Sequence, residues 1–298
     1  MGSLELIKLL YHFGSDQVYD FWLIQPKVIL IWPMMTPLAA RSMPMRMPPR
    51  NRSWKKHLLV LRQLKKPETN MPTFIIDAPP VVAIPVAGTD AVFPVRRVYC
   101  IGRNYAAHTV EMGGDPDREP PFFFQKNPDN LDSSGEFPYP PHSSDVHHEV
   151  EMLVALGKGG VNIPLEKALD HVCGYGVSID MTRRDLQGEA KKMGRPWEIG
   201  KAFERSGPVG TLYPVSQIGH PDHGRIELKI NGQVRQEGDM NQMIWKVPEM
   251  ISHLSRYFEL AAGDVIMSGT PAGVGPVSKG DIMDASIDGM GSISVKVV

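Results

Sequence analysis

The sequence predicts a β-rich α+β fold, and three features of its pattern carry that prediction. Short apolar runs of strand length recur between glycine- and proline-containing turns from Met71 onward. The pair Asn231-Gly232 between two such runs is the signal of a two-residue β-hairpin. Helical patterns are fewer and scattered among the strands, which favours α+β over alternating α/β.

The predicted strands share an apolar run bounded by turn residues, and in chain order they cover residues 98–101, 122–124, 150–156, 174–179, 226–230, 265–267 and 293–298. The predicted helices share apolar positions three or four apart, and they cover residues 106–112, 165–169, 182–193 and 247–258. Thr182 and Asp185 have capping-box spacing, which predicts that the third helix begins at Thr182.

Composition and charge narrow the class of protein. The chain has 298 residues, 42% of them apolar and 22% charged, which is typical of a globular protein. A net charge of −1 gives no electrostatic reason to expect a nucleic-acid or membrane partner. Cys100 and Cys173 are too few for a disulfide framework and fit a reducing compartment, so we expect a cytoplasmic protein without a cysteine-based zinc site.

The first 71 residues differ in composition from the rest. They hold eleven Lys and Arg against four Asp and Glu, a net of +7, whereas the remainder has a net of −8. The apolar run at 28–32 is far shorter than the roughly 20 residues of a membrane helix, and no signal-peptide pattern is present. The stretch 43–52 consists mainly of proline, arginine and methionine, a linker composition. We interpret residues 1–70 as a disordered extension or the product of a mis-assigned start, with a folded domain at 71–298; a basic nucleic-acid-binding arm is the alternative.

An acidic pair is the most informative feature. In the strand pattern that follows His147 and His148, Glu149 and Glu151 are two apart and share one face of the strand. Leu153 and Ala155 continue that face, so it is partly buried, and two neighbouring carboxylates there need a cation between them. A hard divalent ion such as Mg²⁺ meets that need, whereas two solvated glutamates on an exposed edge are the alternative.

Asp180 supplies a third carboxylate. It ends an apolar strand just before the third predicted helix, where a rigid sheet can position it. Three oxygen ligands completed by water and substrate suit Mg²⁺ or Mn²⁺, although an Asp at this place is equally compatible with a turn or a cap.

His108 and Glu111 form the candidate base. They are three apart in a predicted helix, so their side chains can meet. A carboxylate that holds one imidazole nitrogen leaves the other free to take a proton from water, whereas a surface His–Glu pair is the alternative.

Lys201, among small and apolar residues, is either a buried cation for an anionic substrate or an exposed lysine. The glycine-rich loop 268–275 lacks the P-loop and dinucleotide-fold signatures, and tight turns that let the backbone approach a ligand explain it better.

Five motifs in this order resemble the fumarylacetoacetate hydrolase family, in particular its acylpyruvase and fumarylpyruvate hydrolase branch: GRNYAAH, HHEVE, SIDMTRRDLQ, KAF and SGTPAGVG. The likeness covers residues 98–298. It implies a mixed β-sandwich roll, a homodimer and a Mg²⁺ or Mn²⁺ site. The implied metal ligands are Glu149, Glu151 and Asp180, and the implied catalytic residues are His108, Glu111 and Lys201. The implied substrate-binding residues are Arg103, Gln187, Thr270 and Lys126, although Asn127 follows Lys126 where relatives often have proline.

The resemblance implies metal-dependent hydrolysis of a carbon–carbon bond in a 2,4-diketo acid, with release of pyruvate, in aromatic-compound degradation. His108 would deprotonate water, the metal would stabilise the leaving enolate, and Lys201 would neutralise developing negative charge. Two alternatives stay open. The same metal–enolate site suits an oxaloacetate-type decarboxylase or isomerase, because a fold does not settle a function, and a non-catalytic metal-binding protein is the other class.

Overall fold

In the computed structural model, the chain divides into two units, Met1–Ile75 and Ile76–Val298. The structure describes residues 6–12, 18–24, 74–111 and 120–298. In the first unit, β1 (Leu6–His12) pairs antiparallel with β2 (Val18–Ile24), a hairpin that the sequence analysis did not predict. The stretch 43–52 lies outside the described residues, and the interpretation of residues 1–70 stays a prediction.

The second unit is built mainly of short strands. In chain order they are β3 (Ala83–Pro85), β4 (Val92–Pro94), β5 (Arg97–Gly102), β6 (Phe122–Lys126), β7 (Leu131–Asp132), β8 (Glu136–Phe137), β9 (Val146–His148), β10 (Val150–Leu156), β11 (Val172–Ile179), β12 (Thr182–Arg183), β13 (Gly207–Pro208), β14 (Tyr213–Pro214), β15 (Arg225–Ile230), β16 (Gln233–Asp239), β17 (Asp264–Met267), β18 (Gly275–Pro276), β19 (Ile282–Ile287) and β20 (Ser292–Val297). The α-helices are Ala106–Glu111, Arg184–Met193, Glu198–Lys201, Val215–Ile218 and Val247–Leu254, and the 3₁₀ helices are Pro128–Asn130, Leu165–His171 and Met240–Gln242.

A six-stranded mixed sheet, in the order β14-β11-β10-β17-β5-β6, forms the central layer. All seven residues of β10 are buried, because both faces of this sheet are covered. Val150 and Met152 belong to one apolar core, whereas Leu153 and Ala155 belong to a second core on the opposite face. The predicted division of this strand into two faces is confirmed.

A five-stranded sheet, in the order β16-β15-β19-β20-β8, packs on the first core. Leu228, Ala285 and Val295 join the same apolar cluster as Val150 and Met152, so the two sheets form a sandwich. The predicted hairpin is confirmed. Asn231 and Gly232 both have positive φ, 52° and 79°, as a type I′ turn requires. The β-rich α+β prediction is confirmed as well.

Helix bounds and one cap differ from the predictions. The third helix begins at Arg184 rather than at Thr182, because Thr182 pairs with His147 in a small sheet and its hydroxyl donates to the Asp180 carbonyl. Asp185 does not complete a capping box and instead accepts from Ser143 and from the Ser144 amide.

The remaining helices are shorter or tighter than predicted. The first ends at Glu111 within the described residues, since Met112 lies outside them. The second is the 3₁₀ helix Leu165–His171, and the last ends at Leu254 rather than near Phe258. Over the described part of the chain, no helix combines the length and the apolar character needed to cross a membrane.

Candidate active site

A cleft of about 420 Å³, measured with its open mouth, lies where the end of β5, the start of β10 and three helices meet. Most of the predicted site residues line it. They are Arg103, His108, Glu149, Glu151, Gln187, Lys201 and Thr270, and they are joined by Ile101, Gly102, Phe122, Phe124, Arg184, Lys191, Trp197 and Gly269. Three predicted residues do not line the cleft: Asp180 and Lys126 are buried behind its wall, and Glu111 is exposed beside His108.

The three predicted metal ligands are brought together. Glu149, Glu151 and Asp180 are all buried, and each offers a carboxylate oxygen within 4.8 Å of the others. Glu151 is the second residue of β10, and Glu149 lies immediately before this strand, between β9 and β10. Asp180 joins them because β10 and β11 pair antiparallel, with the Asp180 amide donating to the Glu149 carbonyl at 2.8 Å.

Buried cations neutralise two of these carboxylates. The Lys201 ammonium contacts Glu149 at 2.8 Å and Asp180 at 2.7 Å. The Arg184 guanidinium also pairs with Glu149. Although burial works in the opposite direction, these two cations hold the pKa of Glu149 well below its ordinary value. Asp180 and Glu149 likewise raise the pKa of Lys201 against the effect of burial, so this lysine is an ammonium in the site.

Glu151 is in a different electrostatic position. Within the described part of the chain it makes no ion pair, and its carboxylate accepts only the Gly269 amide, at 2.8 Å. Burial, with the neighbouring charges of Asp180 and Glu149, raises its pKa well above the ordinary value. A carboxylate with that environment calls for a further positive charge, and three oxygen donors are the set that hard divalent cations prefer. The donor set therefore fits a divalent metal ion.

His108 and Glu111 meet as predicted. His108 is buried, and its Nδ1 lies 3.2 Å from a Glu111 carboxylate oxygen. Since Glu111 holds Nδ1, Nε2 is the nitrogen that can accept a proton. The Gly273 amide donates to both oxygens of Glu111 at 3.1 Å, including the oxygen that contacts His108, and so helps to fix the carboxylate in place.

The glycine-rich loop 268–275 donates backbone hydrogen bonds both to Glu151 of the carboxylate triad and to Glu111 of the candidate base. Its Gly269 amide binds Glu151 and its Gly273 amide binds Glu111, so its backbone approaches protein side chains. Both glycines have positive φ, 93° and 95°, and a Cβ at Gly273 would lie 2.1 Å from the Arg235 carbonyl oxygen. No side chain larger than hydrogen fits there without a shift of the backbone.

The predicted substrate-binding residues divide into two groups. Gln187 and Thr270 line the cleft; the Gln187 amide oxygen accepts from Arg184 at 2.8 Å, and the Thr270 hydroxyl accepts from Gln236 at 2.7 Å. Lys126 lies behind the site, where its ammonium contacts Asp180 at 2.8 Å and Ser206 at 3.0 Å. Its position supports the Asp180 carboxylate, and a substrate contact by Lys126 has no geometric support.

Several residues of the cleft, and Gln236 behind it, escaped the sequence analysis. Arg184 and Lys191 could have been found from Gln187, because residues three or four apart on a helix share a face. Gln236 had no sequence signal. It comes from the second sheet, where it accepts from the Val150 amide at 3.0 Å and contacts His148 at 2.9 Å. Trp197 likewise joins the aromatic wall only through packing against Phe122 and Phe124.

Comparisons with known proteins match these observations. The family described as fumarylacetoacetate (FAA) hydrolase C-terminal matches residues 97–298. The crystal structure of fumarylpyruvate hydrolase from Pseudomonas aeruginosa in complex with Mn²⁺ and pyruvate is 53% identical, with a TM-score of 0.75, and the match covers 76% of this chain and 99% of that one. The mitochondrial oxaloacetate tautomerase FAHD1 of Mus musculus is 42% identical over 202 residues, 68% of this chain and 91% of the relative. With its β-rich fold, its buried carboxylate triad and this extent of similarity, the chain belongs to the fumarylacetoacetate hydrolase family.

Proposed function

We propose that the protein hydrolyses the carbon–carbon bond of a 2,4-diketo acid, an acylpyruvate such as fumarylpyruvate, to give pyruvate and a carboxylic acid. The observation that carries the proposal is the His108–Glu111 pair in the cleft formed by Glu149 and Glu151. An imidazole with one nitrogen held by a carboxylate is suited to activating water, which hydrolysis requires. The 53% identity to a fumarylpyruvate hydrolase supports the substrate class.

The carboxylate triad would hold the cofactor. Glu149, Glu151 and Asp180 would bind Mg²⁺ or Mn²⁺, which supplies polarisation of the substrate's 2-keto group and stabilises the enolate that leaves. Mn²⁺ is the ion named for the Pseudomonas aeruginosa structure. Lys201 and Arg184 keep Glu149 ionised, so the ligand set needs no proton loss at Glu149 before it binds a cation.

His108 would act as the general base. Its Nε2 takes a proton from water, while Glu111 stabilises the imidazolium that forms and keeps the ring in one orientation. The hydroxide adds to the carbonyl carbon distal to the carboxylate. The bond between that carbon and the methylene then breaks, its electron pair passes to the pyruvate enolate, and a proton completes pyruvate.

Lys201 and Gln187 would hold the substrate during that step. Two of the three Lys201 N–H groups bind Glu149 and Asp180, which leaves the third for negative charge that develops on the substrate. Arg184 donates a hydrogen bond to the amide oxygen of Gln187. The amide nitrogen of Gln187 makes no part of that bond, so its two N–H groups can donate to a substrate carboxylate.

Oxaloacetate tautomerisation is the second candidate. The 42% identity to the mouse enzyme of that name favours it. In this reaction His108 would move a proton between the methylene carbon and the enol oxygen, and no water would be activated. The same residues serve both reactions, so the substrate and the fate of the carbon–carbon bond distinguish them.

A substrate panel tests the proposal. The purified protein with Mn²⁺ or Mg²⁺ is given acetylpyruvate, fumarylpyruvate and oxaloacetate, and both the ultraviolet absorbance of the enol form and the pyruvate formed are measured. Hydrolysis predicts that acylpyruvate absorbance disappears with one pyruvate formed per substrate. Rapid enol–keto conversion of oxaloacetate, with no pyruvate from either acylpyruvate, would establish the second candidate instead. Protein treated with a chelator is the control.

A further inference from the structure

One face of the helix Arg184–Met193 carries three polar side chains into the cleft. Arg184, Gln187 and Lys191 are spaced by three and four residues and all line it. At a rise of about 1.5 Å per residue, Lys191 lies about 10 Å along the helix axis from Arg184. Arg184 lies next to Glu149, and Lys191 lines the cleft about two helical turns further along.

Lys191 differs from Arg184 and Lys201, two other cations of the cleft, because the described residues give it no carboxylate partner. Arg184 pairs with Glu149, and Lys201 pairs with Glu149 and Asp180. Among the described residues Lys191 makes no ion pair, and its ammonium lies 4.8 Å from the centre of the Trp197 ring. The residue is exposed, so a ligand can reach it from the mouth of the cleft.

The surroundings of Lys191 favour an anion. Partial burial of its ammonium, together with the guanidinium groups of Arg184 and Arg103, lowers the pKa of Lys191 to about 8. Cations that crowd one another in this way are stabilised when a negatively charged group binds among them. The Glu149 carboxylate acts in the opposite direction, and the net effect still lowers the pKa of Lys191.

Part of the cleft wall is aromatic. The Trp197 ring packs edge-on against Phe122, with ring centres 5.0 Å apart, and its centre lies 5.7 Å from that of Phe124. The Lys201 ammonium lies 5.0 Å from the centre of the Phe124 ring, and Lys191 lies on the Trp197 ring. A flat, unsaturated chain can therefore pack between two ammonium groups.

We propose that Lys191 binds the distal carboxylate of a dicarboxylic 2-keto acid and so selects substrates with a second negative charge. The inference rests on the proposed function for the identity of the keto acid. The two carboxyl carbons of a seven-carbon diacid are six bonds apart, about 7 Å when extended at roughly 3.6 Å per three bonds. With its keto-acid end beside Gln187, the far carboxylate comes within reach of the long side chain of Lys191.

The kinetic test compares Lys191→Met and Lys191→Arg with the wild-type holoenzyme on fumarylpyruvate and acetylpyruvate. We expect Lys191→Met to lower the ratio of the two kcat/KM values by about 10- to 100-fold, as loss of a charge-assisted hydrogen bond would, mostly through KM for fumarylpyruvate. Lys191→Arg should restore much of the ratio. Lys192→Met, the adjacent exposed lysine outside the cleft, is the matched control and should leave the ratio unchanged.

A binding test separates this inference from the proposed function. The probes are 2-oxoheptanedioate and 2-oxoheptanoate, which differ only in the distal carboxylate and lack the 4-keto group needed for hydrolysis. Calorimetry on the Mn²⁺-loaded protein should show a preference for the diacid that Lys191→Met removes. If the wild-type protein cleaves no acylpyruvate, the proposed function fails while this preference still tests Lys191. Equal affinities of wild-type protein for both probes, or a preference that survives in Lys191→Met, would overturn the inference.

Discussion

Glu151 has a raised pKa, which favours its protonated form, although binding a metal ion requires the ionised form. It is buried beside Asp180 and Glu149, whose charges and the burial itself raise its pKa, yet it completes the donor set for a cation. In the folded protein the protonated form is therefore favoured relative to the unfolded chain. Without a metal ion, ionising Glu151 opposes folding. That cost is absent below the ordinary carboxyl pKa and grows as the pH rises above it.

Glu151→Gln should accordingly raise the melting temperature of the metal-free protein at neutral pH, because it removes the free energy that folding spends on protonating Glu151 or on burying its charge. Addition of Mn²⁺ should raise the melting temperature of the wild-type protein and leave that of Glu151→Gln nearly unchanged, since binding to the folded state stabilises it by mass action. Differential scanning calorimetry with and without Mn²⁺ measures both effects.

Glu227→Gln is the matched control for that experiment. Glu227 is also buried, but it lies in the second sheet and pairs with Arg225 and with Lys229 at 2.9 Å. This variant should lose stability in the metal-free state and keep the full response to Mn²⁺. A metal response that persists in Glu151→Gln would show that Glu151 is not a ligand.

His108→Ala addresses the base. If His108 activates water, kcat for acylpyruvate hydrolysis should fall by about 10²- to 10⁴-fold, with little change in KM, because the groups that hold the substrate remain. Decarboxylation of oxaloacetate needs no water nucleophile and should fall less. Glu111→Gln should repeat this pattern more mildly, since Glu111 orients the imidazole. Equal losses in both reactions would make His108 a binding or structural residue.

The pH dependence of substrate preference follows from Lys191. Arg184, Arg103 and Lys201 face it as cations and Glu149 as an anion, and with partial burial the net effect lowers its pKa to about 8. Below that pH the lysine is charged and the preference for fumarylpyruvate over acetylpyruvate should be constant. As the pH rises through about 8 the preference should decline. In Lys191→Arg it should persist to pH values above 8, because arginine stays charged. Ratios of kcat/KM measured across this range check the prediction.

At the scale of an element, the loop 268–275 links the metal carboxylates to the base. Its amides bind Glu151 and Glu111, two side chains on separate elements of the fold. The sequence analysis interpreted this loop as a place where backbone approaches a ligand. In the structure the amides that its glycines present are bonded to carboxylates of the protein, while Gly269 and Thr270 also line the cleft.

Gly273→Ala should reduce both stability and activity. Its φ of 95° disfavours alanine, and the new Cβ would lie 2.1 Å from the Arg235 carbonyl oxygen, so the loop must shift and the amide must leave Glu111. Gly280→Ala separates these effects. Gly280 has a similar φ of 94° with open space around it, so its substitution should cost only the conformational term, about 1 kcal/mol, with activity unchanged. Chemical denaturation and the hydrolysis assay provide the two measurements. Equal effects of the two variants would show that the Gly273 amide does not position Glu111.

At the scale of the whole molecule, the unit Ile76–Val298 contains every residue of the candidate site. A chain that begins at Met71 should therefore keep the melting temperature and activity of the full-length protein. A shorter chain that begins at Arg97 should fail to fold. This truncation deletes buried Ile84 and breaks the ion pair of Arg96 with buried Asp264, whose atoms are 3.0 Å apart. Calorimetry on both truncated chains is the measurement, and loss of folding in the chain that begins at Met71 would refute the predicted domain boundary.

The homodimer stays a prediction, which light scattering on the same samples would test.

The sequence by itself determined the fold class, two ligands of the triad and the base pair, because these depend on short periodicities. A spacing of two at the start of a strand brings Glu149, just before β10, close to Glu151 within it, and His108 and Glu111 meet on a helix at a spacing of three. The same local reasoning failed at Thr182. Pairing with His147 in a sheet satisfied its backbone and displaced the helix start by two residues.

Only the tertiary structure decided how the charges are arranged. Asp180 reaches Glu149 through the register of β10 with β11, and Lys201 reaches both from 52 and 21 residues away along the chain. Glu149 pairs with two cations, whereas Glu151 pairs with none among the described residues, and Lys191 lies against Trp197 of the aromatic wall. These differences follow from side-chain packing between distant segments. The physical reason is that local sequence fixes the direction of a side chain from its own strand or helix, whereas burial and the charges around it are set by whatever the fold places against it.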